Sequence, residues 1–296
     1  MYSSIRKNKL KTIVIMVAFI LLISVLGGVF AAALDTPGFF IFALIFAISY
    51  AAIGYFASAK MAIAMTGAKP VTKAEAPRLY RIVENLSITA GMPMPKVYIV
   101  HDPAPNAFAT GRNPENGVVA ATTGILELLD DSELEGVMAH EMSHVQNYDI
   151  RVTSIVIALV TVVAFLSDFL LRIGLFGGVG DRDRGGAMIA LSILASLIAP
   201  LVAMMLQLAV SRKREFLADA SGALLTRYPE GLASALKKIE ATARPMQKAN
   251  NATAHLFLSN PFGRNGKQGQ FMRKLFSTHP PTNERVAQLE KMKTSL

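Results

Sequence analysis

Cysteine and tryptophan are absent from the 296 residues, and histidine occurs only five times. Without cysteine no disulfide can form and nothing calls for an oxidising compartment; any metal site must use His, Asp or Glu. A net charge of +9 could suggest nucleic acid, but there is no basic patch interleaved with aromatics. Charge is scarce, at 17 % of residues against about 25 % in an average soluble domain. Hydrophobic residues make up 52 %, and the mean hydropathy is +0.40. These values exclude disorder and argue against an ordinary water-soluble globule. The charges cluster in long hydrophilic stretches, so the chain is not wholly buried in lipid either. Two parts are expected, one in the bilayer and one in water.

Thr12–Leu34 and Thr36–Ala59 carry no charge, and each exceeds the ~20 residues a helix needs to cross the hydrocarbon core. Asp35 alone separates them, so they should form a tight hairpin that is retained as an anchor. A third segment follows Arg151 and stays uncharged to Ser167, where Asp168 and Arg172 interrupt it at ion-pair spacing. A fourth runs from Gly185 to Ser211. Positive residues set the orientation. Arg6, Lys7, Lys9 and Lys11 precede the first segment; Lys60, Lys69 and Lys73 follow the second; Arg212, Lys213 and Arg214 follow the fourth. Both termini and the hydrophilic body should face the cytoplasm, with the basic charge beside anionic headgroups. The expected divisions are an N-terminal transmembrane hairpin (1–60), a first part of the hydrophilic domain (61–151), a second hairpin (152–210) and a second part (211–296).

Within the hydrophilic body, Ala74–Thr89 has helical spacing and stops at Gly91. Lys96–Val100, Asn106–Thr110 and Gly117–Thr122 read as short strands, with a turn at Gly111–Pro114. Ser132–Ile150 reads as a helix, with Ser132 and Glu135 spaced as a capping box. Helices are also expected at 212–225, 230–243 and 282–293. The fold class is therefore α+β, predominantly α-helical, with four membrane-spanning helices and a small sheet.

The chemistry-bearing stretch is His140-Glu141-Met142-Ser143-His144. Residues four apart share one helix face, so His140 and His144 can hold one Zn²⁺ through two imidazoles. Glu141 projects beside them as a proton acceptor for water, the H-E-x-x-H arrangement of zinc peptidases. A catalytic zinc needs a third protein ligand and an open position; the other histidines or a carboxylate could supply it. Glu215 and Asp219 are the best offer, four apart on one helical face. Glu215 could ligate, and Asp219 could accept the free N–H of a ligating histidine. The two ligand sets lie at opposite ends of the second hairpin. They meet only if both ends emerge on the same side, close to the headgroups. Asn106-Ala-Phe-Ala109 could be an edge strand that pairs with extended substrate. His101 and His255 read as loop or helix residues, Arg285 as a bridge to an acid near the metal, and Asp149 as a partner of Arg212 or Arg214.

HEMSH, then Arg214-Glu-Phe-Leu-Ala-Asp-Ala220, then His279-Pro-Pro-Thr-Asn-Glu-Arg285 resemble the HtpX membrane proteases, relatives of the CaaX prenyl proteases in the gluzincin group. The resemblance covers essentially the whole chain. It implies a gluzincin-like zinc endopeptidase with one Zn²⁺, bound to the plasma (inner) membrane, active at the cytoplasmic face in membrane-protein quality control. It implies that His140, His144 and Glu215 bind zinc, that Glu141 is the catalytic base, and that His279 supports the transition state. The expected partners are the lipid bilayer and membrane or misfolded proteins, not nucleic acid; the oligomeric state is open. The alternatives are a CaaX-type prenyl protease, which needs more spans than these four, and a non-catalytic scaffold or chaperone with structural zinc.

Overall fold

A computed structural model describes residues 2–33, 35–176, 212–249, 252–263 and 280–293. Its elements, in chain order, are α1 (Tyr2–Ala33), α2 (Gly38–Thr66), β1 (Lys69–Pro70), α3 (Pro77–Ala90), β2 (Lys96–Val100), β3 (Ala107–Thr110), β4 (Val118–Thr122), α4 (Thr123–Leu128), α5 (Asp131–Gln146), α6 (Asp149–Phe176), α7 (Arg212–Thr226), α8 (Pro229–Ala241) and α9 (Thr282–Met292). Helix dominates, with one small mixed sheet. Two described helices, Ile5–Ala32 and Gly38–Thr66, are long and apolar enough to cross a membrane. The fourth hydrophobic segment, the side chains of Asp168 and Arg172, and His279 lie outside what is described.

α1 and α2 turn back on each other at Asp35, whose φ is 49°. Their packing follows from residue size. α2 buries Ala43, Ala47, Ala51, Gly54, Ser58, Ala62 and Thr66, a stripe of small residues at every third or fourth position. Such stripes let helix backbones approach closely where lipid removes the hydrophobic drive to associate. Ile15, Phe19, Ile23 and Leu26 of α1 and Val152, Ile155, Val156, Leu159 and Val163 of α6 fill the space around it. The large apolar side chains Leu21, Val25, Ile41, Phe42, Ile45 and Phe56 point outward. A water-soluble protein rarely exposes so much apolar surface; here it suits lipid tails.

The sheet has the order β1-β2-β4-β3. β2 and β4 are parallel, and the two outer pairs are antiparallel. Alternation along the strands sorts the faces. Val97, Ile99, Ala107, Ala109, Val119 and Ala121 join the main core with Leu79, Val83, Leu134, Val137 and Met138 from α3 and α5. Tyr98, Val100, Phe108 and Ala120 face the other way and pack with Ala62, Ile157, Leu256 and Phe257. This second cluster ties the sheet to the C-terminal end of α2 and the N-terminal half of α6.

The expected strands and the helices at α3, α7, α8 and α9 are found within a few residues. α3 closes at Gly91 in the left-handed conformation. α5 departs from expectation in three ways. Its capping box is Asp130 with Glu133, not Ser132 with Glu135: Asp130 accepts from the Glu133 N–H, and Glu133 accepts from the Asp130 N–H. The Ser132 hydroxyl instead donates to Asp130, which has already taken the cap. The helix ends at Gln146, and the chain turns at Tyr148, with φ 60°, before bending 79° into α6. α5 is also buried on nearly every side, well beyond the apolar positions Leu134, Val137, Met138 and Val145.

A Cβ at Gly27 would clash with the Cβ of Ala43. Gly27→Ala should therefore force α1 from α2 and destabilise the bundle by about 1–3 kcal/mol, as overpacking typically does. The reading is the thermal midpoint of the full chain in detergent; an unchanged midpoint would contradict this packing.

Candidate metal centre

α5 runs through the centre of the hydrophilic body and carries His140 and His144 one turn apart. Their rings stand edge to face, 4.8 Å between centroids, with the two Nε2 atoms 3.2 Å apart. α7 crosses this face. Glu215 Oε2 lies 3.7 Å from His140 Nε2, and Oε1 lies 3.7 Å from His144 Nε2. One ligand atom from each residue falls within 4.8 Å of the others. The crossing is close because Gly222 lies against α5: a Cβ there would be 3.0 Å from the His140 backbone nitrogen. Glu215, Asp219 and Gly222 follow the i, i+4, i+7 spacing of one helix face.

Each imidazole is held from behind. His140 Nδ1 donates to Asp219 Oδ1 at 2.9 Å, and Arg285 grips Asp219 through Nε and Nη2 at 2.8 and 2.6 Å. His144 Nδ1 donates to Asp149 Oδ2 at 3.0 Å. These bonds fix the tautomers, so both Nε2 atoms are available to one ion. The donor set, two imidazoles and a carboxylate without cysteine, suits a zinc-type ion.

The electrostatics favour a cation at this point. Burial pushes His140 down to about 4. Burial also opposes charge on His144, but Glu215, Asp149 and Glu141 outweigh it and raise the group to about 9. For Asp219, burial alone would raise the pKa; the hydrogen bonds from Arg285 and His140 hold it well below the usual carboxylate range. Glu141 is buried at 2 % exposure, close enough for its charge to act on His144 and Arg285.

The structure brings His140, Glu141, His144, Glu215, Asp219 and Arg285 together. Asp149 does pair with Arg214, at 3.6 Å, but it also takes the His144 N–H, which the sequence reading left without an acceptor. Its spacing, five residues beyond His144 and past a helix break, gave no periodic signal. Gly222 was missed as well, although its place on the Glu215 face was visible. β3 is an edge strand, yet its outward side is occupied in part. Leu258 N–H donates to the Ala107 carbonyl, and Phe108 pairs with Phe257. The Asn106 amide bonds the Ser259 carbonyl and N–H and the Ala107 N–H. His101 is exposed, and His255 is buried with Nε2 3.3 Å from the Thr153 carbonyl.

Two outcomes follow for the protein in solution. A metal ion must displace the proton that His144 holds below about pH 9, whereas His140 is already neutral above about pH 4. Affinity should therefore rise about tenfold per unit between pH 6 and 8, with one proton released per ion. Calorimetry in buffers of different ionisation enthalpy counts that proton; two or none would contradict the assignment. Arg285→Met should strand the buried Asp219 charge and lower stability by about 3–5 kcal/mol. A loss below ~1 kcal/mol in denaturant unfolding of the metal-free protein would show that the pair is not a buried anchor.

Comparison with known proteins converges on the same chemistry. Residues 73–293 match the family model "Peptidase family M48". The chain is 53 % identical over 292 residues to a protease HtpX homolog of Tropheryma whipplei (strain TW08/27), covering 99 % of this chain and 98 % of the relative. It is 44 % identical over 305 residues to a protease HtpX homolog of Streptococcus gordonii, covering 99 % and 100 %. Among solved structures it is similar to Ste24p of S. mikatae, with a TM-score of 0.48, 16 % identity, and coverage of 98 % of this chain and 67 % of that one. The match over most of the chain and the full-length relatives make this a membrane-bound metalloprotease: the chain belongs to peptidase family M48, with the HtpX proteases.

Proposed function

We propose that the chain is a zinc endopeptidase that cleaves membrane or misfolded proteins where the hydrophilic body meets the bilayer at the cytoplasmic face of the plasma membrane. The His140–His144–Glu215 cluster carries this reading. One zinc ion would be held there, with Asp219 orienting His140. When bound, it would supply Lewis-acid polarisation of water and of the peptide carbonyl. Glu141 receives the proton of the attacking water and delivers it to the leaving amine. Its burial supports that role, because a carboxylate away from bulk water transfers protons to its neighbours rather than to solvent. Among the described residues three side chains, not four, converge there, which leaves a position for substrate, as catalytic sites do and structural zinc sites do not. His279, carried by the HtpX resemblance, would stabilise the developing oxyanion.

The edge position of β3 supports substrate pairing along Asn106–Ala109. Such pairing would use main-chain groups and displace Phe257 and Leu258 from Ala107 and Phe108; the Asn106 amide is already committed within the protein. Main-chain recognition gives broad sequence preference, which suits quality control. The basic residues flanking the hydrophobic segments support the cytoplasmic orientation. The uncharged run from Gly185 to Ser211 supports a second hairpin with α6, and so four spans and a protease domain divided by residues 152–210.

Glu141→Gln should retain one zinc per chain and lose proteolysis by about 10²–10⁴-fold, read as casein cleavage and self-cleavage by the detergent-purified chain. Activity near that of the unchanged protein would refute the assigned base.

A further inference from the structure

We propose that the first transmembrane helix is a working part of the metal centre: Asn8 positions Asp149, and Asp149 fixes the His144 imidazole. This rests on the reading that the cluster holds zinc.

Asn8 lies near the start of α1, beside the exposed residues Lys7, Lys9 and Leu10, yet it is only 6 % exposed itself. Its Nδ2 group donates to Asp149 Oδ1 at 2.6 Å and to the Asn147 carbonyl at 2.9 Å. A side-chain amide nitrogen has two protons, and both are used. The two acceptors flank Tyr148, where the backbone is left-handed and the chain bends from α5 into α6. One amide therefore pins both sides of the bend. Asp149 stands in the first turn of α6 rather than on α5, so helix geometry does not hold it against His144. Its carboxylate is fixed at Oδ1 by Asn8 and meets His144 at Oδ2.

The two histidines are thus held by parallel arrangements of different origin. His140 leans on Asp219, which Arg285 grips from within the hydrophilic body. His144 leans on Asp149, whose Oδ1 takes its short hydrogen bond from Asn8 in the membrane hairpin, with Arg214 of α7 further off at 3.6 Å. Removing the Asn8 donors frees the Asp149 carboxylate to rotate and loosens the bend, so the His144 ring loses its fixed direction. Outer partners of metal ligands typically change affinity 10–100-fold when removed. Asn8 is a positioning residue; it does not touch the ion or the substrate.

The test uses the full chain in detergent. Asn8→Leu keeps the side-chain size and removes both donors; Asn8→Ala removes them without adding charge if the leucine variant does not insert. Zinc affinity by chelator competition should fall about 10–100-fold. The visible spectrum of the Co²⁺-substituted protein should shift, and kcat should fall with KM unchanged. Asp149→Asn should give the same changes, and the double variant should be no worse than the weaker single one, because both act on one interaction. Lys7→Ala should change none of these. Zinc affinity and a Co²⁺ spectrum equal to those of the unchanged chain in the Asn8 variants, whatever their thermal midpoint, would overturn the proposal. Failure of the unchanged chain to bind zinc would instead overturn the metal reading, and this proposal with it.

Discussion

The contact between α5 and α7 at Gly222 decides whether the site exists. His140 and His144 are one turn apart by helix geometry, but Glu215 lies about 70 residues further along the chain and reaches them only if the two backbones nearly touch. A β-branched side chain at Gly222 would meet the His140 backbone, which cannot yield as a flexible side chain could. The same face of α7 delivers Asp219 behind His140, so one crossing sets both the inner carboxylate and the outer one. The charges then depend on each other. Asp219, Arg285 and His140 are nearly sealed from water; each would be costly alone and is tolerated because the others satisfy it.

The bundle beside this site follows a different logic. Between α1, α2 and α6, close approach comes from small residues on α2, and the large apolar side chains are turned outward. α6 begins five residues after His144, across the bend at Tyr148, so the cluster lies beside the base of the bundle. The cluster therefore adjoins the apolar bundle of α1, α2 and α6.

Much of this was legible in the amino-acid sequence, for reasons that can be named. The strands 96–100 and 118–122 were marked by short apolar runs between turn residues, and the two spans by the absence of charge. His140, His144 and Glu215 were legible as one cluster because their spacing sets each on a helix face. What was missed depends on tertiary placement. Asp130 rather than Ser132 caps α5 because the helix starts earlier than its hydrophobic pattern does. Tyr148 carries no Gly or Pro to announce the break before α6. Asn8 and Asp149 are ordinary polar residues in sequence, and only the folded chain brings them together behind His144. The Asn106 segment did form an edge strand, but periodicity could not reveal that Phe257 and Leu258 cover part of it.

The central claim is that two imidazoles of one helix and one carboxylate of another share a single ion. X-ray absorption at the zinc edge of the purified full chain tests it most directly. The account predicts one zinc per chain with two imidazole nitrogens at about 2.0–2.1 Å and the remaining ligands oxygen, and loss of that spectrum in Glu215→Ala. A zinc shell of three or more imidazoles, or an unaltered spectrum in Glu215→Ala, would contradict it.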